Sequence, residues 1–122
     1  MDASGGSTLT LVNTVLWGNH ADYGADLEAI DAPAAALDVD FDHCILGVLS
    51  NTYPTYGALA TFNDLGGNLN GVDPGLSRDF HLKAGSVAID AGTCTGAPTT
   101  DFEGDTRPSG AGCDIGADEY TP

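Results

Sequence analysis

Residues 101–120, DFEGDTRPSGAGCDIGADEY, place six carboxylates, one guanidinium, one thiol and four glycines in a single short stretch. Carboxylates at that density can hold a hard cation, work as an acid–base pair on a glycosidic bond, or be neutralised in place by an arginine. An EF-hand register begun at Asp101 puts Glu103 and Asp105 at its third and fifth positions. It then puts Thr106 where glycine is required and Gly112 where the bidentate glutamate belongs. The stretch also lacks the glycine-rich nonapeptide of calcium-binding β-rolls. A calcium-binding reading would use Asp101, Glu103, Asp105 and Asp114. The structural alternative accounts for more residues. Arg107 is one of three cations in the chain and lies in a sequence context with Asp90, Asp101 and Asp114. A guanidinium can take two carboxylates and fix the loops that close one end of a fold.

Asp38, Asp40 and Asp42 alternate with Val39 and Phe41. On a strand they share one face at about 6.6 Å between neighbours. Three like charges in a row can bind a cation or serve a polysaccharide hydrolase, and they can also be a solvated face that blunts strand-edge pairing. Tyr53 and Tyr56 flank Pro54 in SNTYPTYG, where loop aromatics can stack on sugar rings or act as packing lids. His20, His43 and His81 fall in separate segments with no paired metal spacing. No Ser-His-Asp arrangement, phosphate-binding glycine loop or nucleotide fingerprint is present.

The elements that must position these groups are strands. Leu9, Leu11, Val15 and Trp17 alternate with smaller or polar residues, as do Leu37, Val39 and Phe41. Period two with turn residues between the runs means half-buried strands. The best helical stretch, residues 24–37, is cut by Pro33. The 122 residues suffice for one domain with a modest core. A formal charge of −15 excludes nucleic acid and anionic lipid as primary partners. No apolar run is long enough to span a membrane, so membrane insertion is not expected. The first residues lack the basic n-region of a secretory signal. Cys44, Cys94 and Cys113 include no C-x-x-C pair, which argues against zinc held by cysteine alone.

Laying VNTVLWG over FDHCILG puts Val12 on Phe41 and Gly18 on Gly47, an offset of 29. A period of that size signals stacked repeats. Further on come Asp73-Pro74-Gly75-Leu76, the run from Phe80 to Gly92 (FHLKAGSVAIDAG), and a signature of Asp101, Gly104, Arg107, Pro108 and Asp114 to Tyr120. With NTVLWGN at Asn13–Asn19 and HCILG at 43–47, these resemble the closing segments of right-handed parallel β-helix proteins that carry a choice-of-anchor Q domain. The resemblance covers nearly all of residues 8–120.

It implies an all-β chain forming one domain over residues 1–122. Residues 8–92 would make about three coils of a short right-handed parallel β-helix and residues 93–122 a C-terminal cap. Arg107, Asp90, Asp101 and Asp114 would be the structural residues of that cap. It also implies a Cys94–Cys113 disulfide, since a cysteine after DAG accompanies one before DIGA in such proteins, and leaves Cys44 as a buried thiol. An extracellular or cell-surface setting follows from the resemblance alone. The expected function is a non-catalytic structural or binding module for carbohydrate or a partner protein, with no cofactor. Two alternatives stand beside it: a glycoside hydrolase or lyase using Asp38, Asp40 and Asp42, and a calcium-binding module. The strand STLTLVNTVLW follows only six residues, most of them small or polar, so a homodimer through this N-terminal coil is expected.

Overall fold

The computed structural model describes residues 6–20, 26–28, 37–50 and 60–122. These residues form strands and irregular backbone, with no helix. The strands are β1 (Ser7–Val12), β2 (Val15–Leu16), β3 (Leu27–Glu28), β4 (Leu37–Asp42), β5 (Ile45–Leu46), β6 (Leu49–Ser50), β7 (Thr61–Gly66) and β8 (Leu69–Asn70). They build three small sheets, ordered β1-β4-β7, β2-β5-β8 and β3-β6, and every pairing is parallel. The all-β expectation holds at this level. β3 lies within the one stretch with helical character, whose remainder falls mostly outside the described residues.

The register corrects the sequence overlay by one residue. Ser7 pairs with Leu37 and Val15 with Ile45, an offset of 30 rather than 29. A one-residue slip in a strand exchanges its faces, so the difference decides what is buried. The backbone corner sets the true register. Asn13, His43 and Gly67 follow the ends of β1, β4 and β7, and all take left-handed dihedrals, with φ of 48°, 51° and 68°. Each pass therefore bends at the same place. Asparagine and glycine suit that conformation and histidine tolerates it. A Cβ on Gly67 would lie 2.4 Å from the His43 ring, so the third pass has glycine where the imidazole below needs space. Asn68 fastens the same corner. Its Oδ1 accepts from the Cys44 amide at 2.8 Å and its Nδ2 donates to the Phe41 carbonyl at 2.8 Å.

Two apolar clusters result. The first gathers Val39, Phe41, Cys44, Leu46 and Ala60, with Leu11, Leu16 and Phe62 packed against them. Phe41 of β4 and Phe62 of β7, the latter opposite Val39 in the ladder, meet edge to face with centroids 5.7 Å apart. The second holds Ile45, Leu82, Ala88 and Ile115, flanked by Val15, Trp17, Leu69 and Leu76. Ile45 thus turns away from its neighbours Cys44 and Leu46 toward the C-terminal half. That half covers the outer face of β2, β5 and β8.

No strand of the three sheets lies beyond Asn70, so residues 71–92, counted with the coils in the sequence reading, have another character. They run as turns, with an isolated antiparallel bridge between Leu76 and Leu82. A second bridge joins Thr100 and Thr106. Asn13 ties this half to the first pass. Its side chain donates to the Thr93 carbonyl at 2.6 Å and accepts from the Thr93 amide at 2.8 Å, while its carbonyl accepts from Gly116 N–H at 2.9 Å.

Candidate functional site

The acidic stretch at 101–120 is organised around backbone amides. Asp101 Oδ1 accepts from the amides of Glu103, Gly104 and Asp105, each at 2.9 Å, and its Oδ2 accepts from Glu119 N–H at 3.0 Å. Burial works against the charged form of Asp101, but these amides outweigh it and hold its pKa below 3.8. Asp114 accepts from the amides of Asp90 and Tyr120, each at 2.7 Å. Its burial dominates, helped by nearby Glu119 and Asp90, and its pKa rises above 3.8. Asp90 stands beside Gly110 and Gly112 and accepts from the Gly112 amide at 2.9 Å.

Arg107 sits in the middle of this network with a side chain 5% exposed. Its carboxylate partner is Glu119, at 3.4 Å and fully buried, rather than Asp90, Asp101 or Asp114. The guanidinium reaches Asp114 only through that residue's carbonyl, at 3.3 Å, and donates to the Gly116 carbonyl at 2.9 Å. Glu119 in turn accepts from the amides of Ser109 and Asp114. The charge pairing differs from expectation: Asp101, Asp114 and Glu119 all have amide donors on both oxygens, and it is Glu119 whose carboxylate also comes within reach of the guanidinium. Sequence reasoning passed over Glu119, although it lies in the DIGADEY run. Cys94 and Cys113 are joined, with Cα atoms 5.3 Å apart, and Cys44 is a buried free thiol whose pKa burial pushes up.

Of the calcium-reading residues, Asp101 and Asp114 are thus engaged with amides, while Glu103 and Asp105 are exposed. Asp38, Asp40 and Asp42 lie along β4 beside Thr8, Thr10 and Val12 of β1. Asp40 accepts from Asn63 Nδ2 at 2.8 Å, and Asp42 meets the His43 ring at 2.6 Å. Tyr53 and Tyr56 lie outside the described residues.

A cleft of about 570 Å³ opens between β2 and the C-terminal half. Val15, Trp17, Leu76, Phe80, Leu82 and Ile115 give it apolar walls, and Asn13, Thr14, Asn19 and Asp118 add polar groups. Trp17, expected inside by alternation, is half-buried and faces this space, and Phe80 is 73% exposed at its mouth. Beyond Asp118 lies His81, whose Nδ1 is 3.0 Å from Asp118 Oδ1 and 3.6 Å from Glu103 Oε2. The Asp118 hydrogen bond raises the imidazole pKa above 6.5; partial burial opposes this and the Glu103 charge supports it. No spacing signal marks this group in the sequence, since its members come from three separate turns.

No helix among the described residues is long and apolar enough to cross a membrane. Compared with protein-family models, with curated proteins and with solved structures, the chain matches none of them.

Proposed function

We propose that this chain is a non-catalytic binding module, built as a short right-handed parallel β-helix with a C-terminal cap, and that the cleft beside Trp17 takes carbohydrate. The cleft carries the reading. It sets two aromatic rings, Trp17 and Phe80, on a concave apolar surface with Asn19 and Asp118 at hand as polar partners. Pyranose rings present apolar faces to aromatic side chains and hydroxyls to such acceptors, and concave apolar sites with a few polar groups are the usual form of a ligand site. The stacked parallel passes with a shared left-handed corner support the β-helix, and the Arg107–Glu119 network supports the cap.

Catalysis by Asp38, Asp40 and Asp42 has less support. Asp40 and Asp42 have side-chain partners, and none of the three lines this cleft. Titration of neutral and acidic oligosaccharides against Trp17 fluorescence tests the binding reading. Saturable quenching by a neutral glycan, weakened in Phe80→Ala, which keeps the tryptophan reporter, is the expected result; no response across the panel would overturn it. New reducing ends or unsaturated products, abolished by Asp40→Asn, would instead establish an enzyme. The same reading keeps β1, one of the two edge strands of its sheet, with Leu9 and Val12 exposed, as the face for a second copy.

A further inference from the structure

We propose that His81, Glu103 and Asp118 form a binding site for a divalent ion of the zinc class. One imidazole nitrogen and two carboxylate oxygens converge there from three turns of the C-terminal half, with all three ligand atoms within 4.8 Å of one another. Ligands at about 2.0–2.1 Å from a tetrahedral zinc lie roughly 3.3 Å apart. The His81–Asp118 separation of 3.0 Å and the His81–Glu103 separation of 3.6 Å bracket that value. The remaining adjustment falls to Glu103, whose side chain is half exposed and free of a structural bond among those described.

The surroundings orient the donors as a metal site requires. Asp118 is buried, and its Oδ2 accepts from the Leu82 amide at 2.7 Å, which leaves Oδ1 directed at the imidazole. An outer hydrogen bond on one oxygen, with the other presented inward, is how ligating carboxylates are fixed. The backbone of His81 is held at both groups, its amide donating to Ser77 Oγ and its carbonyl accepting from Ser77 N–H. The ring of Phe102 covers the imidazole at 5.2 Å.

Charge points the same way. Asp79 also approaches, 3.9 Å from Nε2, so three carboxylates surround one imidazole. Among the described residues none of the three pairs with lysine or arginine, whereas buried Glu119 has Arg107. A cation would balance that excess. One nitrogen with two oxygens suits zinc, manganese or nickel better than calcium, which takes six to eight oxygens. The ion would leave a coordination position for water and would stand behind Asp118, one of the cleft's polar groups.

The inference does not depend on the cleft's ligand, because metal uptake is measured without sugar. The full chain, freed of metal by chelation, is dialysed against zinc chloride and bound zinc is counted, with calcium chloride in a parallel arm. One zinc per chain is expected, weakened at least about tenfold by His81→Ala and by Glu103→Gln, and unchanged by His43→Ala. Glu103→Gln serves as the variant that leaves the Asp118–Leu82 bond intact. No uptake, uptake of calcium in preference to zinc, or uptake indifferent to both His81→Ala and Glu103→Gln would overturn the site.

Discussion

Replacing Arg107 by alanine removes the one cation that, among the described residues, reaches the buried carboxylate of Glu119. In the native fold the two side chains are 5% and 0% exposed. Breaking a buried pair from one side costs about 3–5 kcal/mol, because a charge is left without its partner. Two considerations set the value here. Glu119 keeps amide bonds from Ser109 and Asp114 after the change, which lowers the cost. The carbonyls of Asp114 and Gly116 each lose a donor, which adds to it at about 1 kcal/mol apiece. The expected loss is about 3 kcal/mol or more, a fall in melting temperature of about 10 °C for a chain of this size. Arg78→Ala, at an exposed turn residue, should cost under about 0.5 kcal/mol. Urea and thermal unfolding of both variants are the assays. A double-mutant cycle with Glu119→Gln should show a coupling of at least about 1 kcal/mol. Equal midpoints for the Arg107 and Arg78 variants, or additive losses in the cycle, would refute the network.

Thiol titration in denaturant without reductant should find one free group, Cys44, and Cys94→Ser with Cys113→Ser should cost roughly 3 kcal/mol for a loop of about 20 residues. Asp101 and Asp114 should give opposite pH slopes. The Asp101 pKa is depressed, so its stabilisation is present above 3.8 and is lost as pH falls through the folded value; the penalty of Asp101→Asn, measured by denaturant midpoint, should shrink in acid. The Asp114 pKa is raised, so wild-type stability should fall as pH rises from 3.8 through the folded value, and Asp114→Asn should remove that slope. Light scattering should report a dimer that tightens with salt, with Leu9→Asp monomeric or unfolded and Thr10→Asp still associated; a strict monomer at high salt would dismiss the β1 contact.

The strands were legible where one face is solvent and the other core. Val39 and Phe41 are buried and Asp38, Asp40 and Asp42 half-buried, as their alternation announces. The register was misread because CIL offers no alternation. Cys44 and Leu46 belong to one cluster and Ile45 to the other, so both faces of β5 are apolar and an overlay by hydropathy slides by one. The corner residues fix the register, but asparagine, histidine and glycine share no side-chain chemistry; only their dihedrals agree. The role of Arg107 as a tie in the C-terminal half was readable from the scarcity of cations. Its partner was not, because several carboxylates lie close in sequence and only the folded path of residues 107–119 sets which of them the guanidinium reaches.

The clasp between Asn13 and the strand-free half has a consequence for synthesis. Thr93 and Gly116, which complete the hydrogen bonds of Asn13, leave the ribosome on the order of 5–20 s after it, at translation rates of about 5–20 residues per second. Throughout that interval Val15, Trp17 and Ile45 have no cover from Leu82 and Ile115. Such sequence-distant closure slows folding and exposes apolar surface to other nascent chains. A holdase engaging the stalled first 90 residues, and releasing them once residue 116 is out, would be acting on the outer face of β2 and β5.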